Sequence, residues 1–129
     1  MSMVEAASIP LASLTSLQCL QKTGAPWKHT GDEFTVVITS GSGGTGYVAI
    51  QMAKAFGATK VITSTSADNA DFVKAMGADV VVDYHKSDIW STLANDTIDV
   101  VYDNYGAPGT ADKAMASLNI LFLVTIILI

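Results

Sequence analysis

The sequence contains no arginine, and it is acidic overall. Its seven basic residues are all lysines, and against twelve Asp and Glu residues they leave a formal net charge of −5. A protein that binds nucleic acid needs a basic face to displace the counterions of the phosphate backbone, so this composition argues against nucleic acid as a partner. Without guanidinium groups, any bound phosphate must be held by backbone N–H groups, hydroxyls or lysine.

Cysteine and histidine are also scarce. Cys19 is the only cysteine, so the chain cannot form an internal disulfide, and its apolar neighbours predict a buried, unreactive thiol. His29 and His85 are the only histidines, and neither has a position suited to an acid catalyst. No grouping of Cys, His, Asp and Glu has the spacing of a zinc site. We therefore assign no catalytic residue and no metal ligand.

Long hydrophobic segments are absent as well. The N-terminus lacks the basic-then-apolar pattern of a signal peptide, and the longest apolar stretch, residues 120–129, is too short to span a membrane. We expect an intracellular protein, cytoplasmic or organellar; contact with a membrane surface stays open as an alternative. Half of the 129 residues are apolar, which is enough for the core of one domain.

The first predicted element is a helix that begins near Pro10. Four leucines recur three residues apart between positions 11 and 20, and proline is tolerated in a first helical turn. Gly24 and Pro26 end this helix. Residues 27–33 read as a polar connection.

After residue 33 a strand–turn–helix pattern repeats. Strands are predicted at residues 35–39, 60–63, 79–82 and 98–101, and helices at residues 44–56, 68–76 and 110–118, with a short helix around Trp90. Ser66 is expected to cap the second of these helices, while Asp99 and Asp103, which flank a strand end, are expected to be solvated. Strands separated by helices of about ten residues imply a parallel sheet with right-handed crossovers.

The predicted fold class is therefore α/β, a partial, doubly wound parallel sheet of the Rossmann type, preceded by one helix. This divides the chain into three parts. Residues 1–30 form the first helix and a connection, residues 31–119 a dinucleotide-binding domain, and residues 120–129 an apolar strand or anchor.

Between the first strand and its helix the chain is rich in glycine. Gly41, Gly43 and Gly46 satisfy the pattern G-x-G-x-x-G, and Gly44 adds a fourth glycine. In this context the first glycine permits a sharp turn, the middle ones let a diphosphate approach the backbone, and the last lets the helix pack on the strand. The start of the helix offers unpaired N–H groups and a positive dipole end to the phosphates. The pattern predicts a dinucleotide site; the alternative is a glycine-rich turn without a ligand.

The end of the second strand indicates which dinucleotide is bound. An NAD site carries an Asp or Glu there to hold the ribose 2′-hydroxyl, whereas this chain has Ser64, Thr65 and Ser66. Small hydroxyls leave room for a 2′-phosphate and donate to it, so NADP is favoured over NAD. The alternative is that these residues only cap the following helix.

Taken together, these motifs resemble the medium-chain dehydrogenase/reductase superfamily, in its zinc-independent quinone oxidoreductase and enoyl reductase branch. The resemblance covers residues 6–118. It rests on "IPLASLTSLQCLQ", "GSGGTGYVAIQMAKAFGATKVI", "KAMGADVVVDY" and "IDVVYDNYG".

The resemblance implies roles for several residues. Thr15 matches a threonine near the nicotinamide, and Tyr84 a tyrosine that lies against the adenosine. The other implied contacts are the pyrophosphate turn at Gly43, Gly44 and Thr45, the 2′-phosphate pocket at Ser64, Thr65 and Ser66, and the loop bordering the cofactor at Asn104 and Gly106. Each position also has a structural alternative: a helix back-bond for Thr15, a surface cap for Tyr84 and a turn for Asn104.

The chain departs from the family at both ends. The N-terminal catalytic domain of family members and the later strands of their cofactor domain have no counterpart, and the chain ends in "NILFLVTIILI". We therefore expect the NADP(H)-binding portion of a reductase that transfers hydride from NADPH to a quinone or activated alkene, inactive by itself. The alternative is a non-catalytic structural or interaction subunit of a larger assembly.

Residues 120–129 are almost entirely β-branched or leucine-like. A fifth parallel strand is the first interpretation, and a short anchor into a protein partner or a lipid surface is the second. An unpaired segment of this composition would aggregate, so we expect either the sheet or a partner to cover it.

Overall fold

The computed structural model describes residues 1–28, 33–93 and 98–118, together with the backbone of residues 125–126. The helices are α1 Met3–Lys22, α2 Gly44–Ala55, α3 Ala70–Ala75, α4 Ile89–Thr92 and α5 Thr110–Ser117. The strands are β1 Thr35–Ile38, β2 Lys60–Thr65, β3 Val80–Asp83, β4 Val100–Asp103 and β5 Thr125–Ile126. A single 3₁₀ turn, Ala67–Asn69, precedes α3. His29 lies outside the described residues.

The strands form one parallel sheet in the order β3-β2-β1-β4-β5. Each connection between β1, β2 and β3 passes through a helix, which confirms the predicted α/β fold. The strand order reverses between β1 and β4, where the chain leaves one half of the sheet for the other. In open α/β sheets, the carboxyl ends of the strands beside such a reversal are the usual place for a ligand.

Helices cover both faces of the sheet. Alternating residues of β1 separate the two layers, because Val36 and Ile38 join the core formed with α1, α2 and α3, while Val37 joins the core formed with α4 and α5. All four residues of β1 are buried, as expected for a central strand enclosed by helices. This is the doubly wound arrangement that the sequence predicted.

Apart from the start of α1, element boundaries differ from the predictions by at most two residues. The β2 strand continues to Thr65 because Ser64 and Thr65 pair with Val82 and Asp83 of β3. The predicted helix at residues 68–76 is a 3₁₀ turn followed by α3, and Ser66 precedes it without a side-chain capping bond. Residues 125–126 lie parallel to β4, as the strand interpretation of the C-terminal run requires. The rest of that run lies outside the described residues.

The start of α1 was predicted wrongly. The helix begins at Met3 because Ser2 and Glu5 form a capping box, in which the Ser2 N–H donates to Glu5 Oε2 at 2.6 Å and the Glu5 N–H to Ser2 Oγ at 3.2 Å. Pro10 lies inside the helix, where it removes one backbone donor. Pro10 is exposed, so water can satisfy the carbonyl that loses its partner.

Only the second half of α1 packs against the domain. Leu20 is fully buried in the core with α2, whereas Leu11 is 82% exposed. The segment after the helix is less polar than predicted, because Trp27 is buried and stacks on Phe34 with ring centroids 5.1 Å apart. The C-terminal half of α1 and Trp27 thus close one end of the core.

By length and composition alone, α1 is the one helix of the described residues that could cross a membrane. Core helices and signal sequences pass the same test, so this is weak evidence for a span. Ser16, Cys19 and Leu20 of α1 are buried against the domain.

Substituting one leucine in each half of α1 should distinguish the packed half from the exposed half. We expect Leu20→Ala to lower the free energy of unfolding by about 2–5 kcal/mol, because it leaves a cavity in a closed core. The matched variant Leu11→Ala should change it by less than about 0.5 kcal/mol. Urea unfolding followed by circular dichroism measures both, and equal losses would show that the outer half of α1 is also packed.

Candidate functional site

The turn between β1 and α2 is tied to the neighbouring strand β2. Ser40 adopts a left-handed backbone conformation, with φ of 53°. Its N–H donates to Ser64 Oγ at 3.1 Å, and the Gly41 N–H donates to the Ser64 carbonyl at 2.9 Å. The Gly43 N–H then returns to the Ser40 carbonyl at 3.0 Å and closes the bend. These bonds fix the path of the backbone at the carboxyl end of the sheet.

The glycines of this turn serve two different purposes. A Cβ on Gly41 would collide with the Thr63 side chain, and a Cβ on Gly46 with the Ser40 carbonyl. Gly44 is different, because a Cβ there would meet no atom within 4 Å. Gly41 and Gly46 are therefore required by packing, whereas Gly44 leaves an open cradle beside the backbone.

The cradle is lined by backbone donors. Helix α2 begins at Gly44, its N-cap residue Gly43 has no side chain to cap it, and no acidic residue lies in its first turn. The N–H groups of Gly44, Thr45 and Gly46 have no acceptor in the described part of the chain. Together with the positive end of the helix dipole, these groups form a site suited to a phosphate.

At the end of β2, the hydroxyls of Ser64 and Thr65 bond to the turn, whereas the hydroxyl of Ser66 lies at the cavity beside it. Ser64 is buried and accepts from the turn, and Thr65 Oγ1 donates to Ser42 Oγ at 2.8 Å. Ser66 is half-buried, and its Oγ accepts from Asn69 Nδ2 at 3.1 Å. The predicted 2′-phosphate pocket thus consists of two residues that hold the turn and one, Ser66, that lies beside an amide at the cavity wall.

A cavity of about 630 Å³ opens along the carboxyl ends of the strands. It lies at the reversal of strand order and extends from the glycine turn to α4 and α5. Of the residues predicted from sequence, Ser64, Thr65, Ser66 and Tyr84 line it. Lining residues that the sequence gave no reason to choose include Asn69, Asp88, Trp90, Tyr105 and Lys113.

Eight predicted residues lie outside the cavity lining: the five of the turn, Gly41, Gly43, Gly44, Thr45 and Gly46, and also Thr15, Asn104 and Gly106. Asn104 links elements instead: its Nδ2 donates to the Thr39 carbonyl at 3.0 Å, and its Oδ1 accepts from Thr45 Oγ1 at 3.1 Å. Gly106, with φ of 62°, donates its N–H to Asp103 Oδ1 at 3.2 Å. Thr15 is half-buried in the middle of α1, next to Ser16, whose Oγ donates to the Thr45 carbonyl at 3.0 Å.

The prediction that Asp103 is solvated is wrong, because Asp103 is fully buried. Its carboxylate accepts from Thr39 Oγ1 at 2.6 Å and Thr110 Oγ1 at 2.7 Å, and from the N–H groups of Tyr105 at 3.0 Å and Gly106 at 3.2 Å. Burial alone would raise the pKa of Asp103, but the bonds from these four donors outweigh it and hold the pKa below its ordinary value. The ionised carboxylate therefore organises the loop between β4 and α5.

His85 and Cys19 are the remaining described residues whose side chains the sequence analysis considered for reactivity. His85 is exposed and lies outside the cavity lining, and its ring contacts that of Tyr84 at a tilt of 38°. Cys19 is buried, and burial raises the pKa of its thiol, which agrees with the unreactive thiol expected from sequence. Across the described ranges, no three His, Cys, Asp or Glu side chains come together in a way that fits a metal ion.

We expect the contribution of Asp103 to the free energy of unfolding to depend on pH. The folded-state pKa of Asp103 is depressed, so its stabilisation is present above the unfolded-state pKa and is lost as the pH falls through the folded-state value. Asp103→Asn should lower the free energy of unfolding near pH 7 by about 1.5–3 kcal/mol. The difference between wild type and variant should shrink towards about pH 3.

Denaturant titrations across this pH range check the prediction for Asp103. Asp68→Asn, at an exposed position on the 3₁₀ turn, is the control and should shift stability by less than about 0.5 kcal/mol. A difference between Asp103→Asn and wild type that stays constant with pH would contradict the role of the ionised carboxylate.

Comparisons with known proteins agree with this geometry. Residues 44–121 match the family described as zinc-binding dehydrogenase. The 2-methylene-furan-3-one reductase of Solanum lycopersicum is 36% identical over 116 residues, which cover 89% of this chain and 28% of the relative.

Two solved structures extend the match to the fold. The quinone oxidoreductase of Coxiella burnetii superposes with a TM-score of 0.83 at 34% identity, over 96% of this chain and 37% of that one. The Escherichia coli quinone oxidoreductase, solved in complex with NADPH, gives a TM-score of 0.76 at 29% identity, over 96% and 38%. The chain thus spans between about a quarter and two-fifths of the length of these proteins. From the family match, the relatives and the fold together, the chain belongs to the zinc-binding dehydrogenase family, in the quinone oxidoreductase-like branch of the medium-chain dehydrogenase/reductase superfamily.

Proposed function

We propose that this chain is the NADP(H)-binding portion of a quinone oxidoreductase or enoyl reductase-like protein. In the whole protein the reaction would be hydride transfer from NADPH to a quinone or an activated alkene. The observation that carries the proposal is the open cradle at Gly44, where three unpaired N–H groups meet the start of α2 at the reversal of strand order. A turn that only joined a strand to a helix would need no such open, donor-lined space.

The residues of the cradle would bind the pyrophosphate of the cofactor. The N–H groups of Gly44, Thr45 and Gly46 supply donors, so the lack of arginine is no obstacle. NADPH would bring the hydride, and this chain would bind and orient it. The adenosine would lie in the cavity against Tyr84, and Thr15 would lie towards the nicotinamide, with Asn104 and Gly106 in the loop beside it.

Ser66 is the residue we propose for the 2′-phosphate. It lies at the cavity wall with Asn69, and both side chains offer hydrogen-bond donors. Ser64 and Thr65 would act through the turn that they hold. The NADPH complex of the E. coli relative supports this choice of cofactor.

The exposed half of α1 favours a second candidate, a non-catalytic subunit that docks on a partner. Met3, Val4 and Leu11 are each at least 80% exposed. The described residues also offer no evident acid catalyst. Titration of NADPH into the purified chain by calorimetry separates the two candidates: micromolar binding supports the first, and no binding up to millimolar cofactor removes it.

Two glycine variants test the cradle directly. Gly44→Ala should fold with nearly unchanged or slightly higher stability, because its Cβ meets no atom and alanine favours helix. It should weaken NADPH binding by roughly tenfold or more, because the methyl group occupies the phosphate cradle.

The matched variant Gly46→Ala should lower the free energy of unfolding by about 1–3 kcal/mol, since its Cβ collides with the Ser40 carbonyl. Thermal unfolding and calorimetric titration of both variants supply the two measurements. Normal NADPH affinity in Gly44→Ala would show that the phosphate does not use the cradle.

The choice of cofactor is tested at Ser66. Ser66→Asp should weaken NADPH binding by roughly tenfold or more and leave NADH binding within about twofold, because a carboxylate repels a 2′-phosphate and accepts from a 2′-hydroxyl. Gln21→Glu adds the same charge at an exposed position on α1 and serves as the control. Equal losses for the two cofactors would place the 2′-phosphate elsewhere.

A further inference from the structure

Tyr102 has the one buried side-chain polar atom in the described part of the chain that lacks a hydrogen-bond partner. It is fully buried on β4 and belongs to the core formed with α1 and α2. Leaving a hydroxyl unpaired in such a place costs free energy that a phenylalanine would avoid. The hydroxyl therefore calls for a physical explanation.

The surroundings of this hydroxyl are polar. Ser16 and Cys19 of α1 and Thr45 of α2 are the side chains that act on its pKa. Burial raises the pKa of Tyr102 to about 12, so the hydroxyl keeps its proton at neutral pH and is a donor without an acceptor. Its neighbour Thr45 belongs to the turn that lines the phosphate cradle.

The hydroxyl oxygen of Thr45 can accept a further hydrogen bond. A threonine hydroxyl has one hydrogen to donate and two lone pairs to accept with. Thr45 donates its hydrogen to Asn104 Oδ1 at 3.1 Å, and within the described ranges no donor reaches its oxygen. The unpaired hydroxyl of Tyr102 thus belongs to a group of side chains that includes Thr45, whose oxygen can still accept a hydrogen bond.

We propose that Tyr102 is a positioning residue for cofactor binding, which acts by donating its hydroxyl hydrogen to Thr45 Oγ1 when Thr45 turns towards a phosphate oxygen. The inference rests on the proposed function. A phosphate in the cradle competes with Asn104 for the single hydrogen of Thr45. Once Thr45 donates to the anion its oxygen becomes a stronger acceptor, so the bonds from Tyr102 to Thr45 and from Thr45 to phosphate reinforce each other.

Ser16 completes the arrangement from the side of α1. Its Oγ donates to the Thr45 carbonyl at 3.0 Å, and Ser16 is fully buried. The backbone of Thr45 is therefore held by α1, and its side chain is left free to exchange partners. This arrangement would keep the backbone of Thr45 in place while its hydroxyl changes hydrogen-bond partner.

A double-mutant cycle on the full chain tests the proposal, with NADPH as the ligand. Tyr102→Phe should weaken NADPH binding by about three- to tenfold, the size of one hydrogen bond. In a Thr45→Val background the same substitution should have no further effect. The melting temperature of Tyr102→Phe should stay the same or rise, because the variant loses an unpaired buried hydroxyl.

Tyr47→Phe is the matched control. It removes the hydroxyl of a tyrosine on α2 whose ring contacts Phe72 and which lies outside the cavity lining. This variant should bind NADPH like the wild type. Unchanged affinity in Tyr102→Phe overturns the proposal, and so does an equal loss with and without Thr45. An affinity loss that is matched by a fall in melting temperature also overturns it, since that would mark a purely structural role.

A second measurement does not depend on Tyr102→Phe folding. In protein labelled at the tyrosine Cζ carbon, the Tyr102 resonance should move when NADPH is added to the wild type and stay in place in Thr45→Val. A resonance that fails to move in the wild type overturns the proposal. Wild-type protein that does not bind NADPH at all is a different result, because it removes the proposed function itself.

Discussion

The site depends on how closely the backbone between β1 and α2 approaches itself and its neighbours. Gly46 lies against the Ser40 carbonyl, and Gly41 lies against the Thr63 side chain, with no room for a Cβ at either position. This close packing brings the start of α2 to the carboxyl end of β1 with its first N–H groups unpaired. If either glycine were larger, the helix would begin farther from the sheet and the donors would no longer converge beside Gly44.

A network of polar side chains supports this arrangement from the neighbouring strand. The Asp103 carboxylate accepts from Thr39 at the end of β1 and from the loop before α5, while Asn104 joins Thr39 to Thr45. The two sides of the strand-order reversal are therefore linked by hydrogen bonds as well as by the β1–β4 ladder. Each buried polar group in this network has a partner, which is the condition under which such groups stabilise a fold.

The sequence predicted those features of the fold that depend on local patterns. Alternation of apolar and polar segments predicted the strands and most helices, and the spacing of the glycines predicted the open turn. The start of α1 was missed because Pro10 indicated a first helical turn, whereas the capping box of Ser2 and Glu5 begins the helix at Met3. The burial of Asp103 was missed because its partner Thr39 is 64 residues away in the chain, a relation that no local pattern contains. For the same reason the involvement of Ser64 in the turn could be seen only once β2 lay beside β1.

The two halves of α1 are stabilised in different ways. Ten residues of helix are barely stable in water, so the exposed first half of α1 owes its helical state to continuity with the packed second half and to the cap at its start. The two halves of one helix are then held by unequal forces, since Leu20 is enclosed by protein and Leu11 faces water. Unwinding should therefore begin at Met3 and advance towards Ser16, where contact with Thr45 stops it before it reaches the sheet.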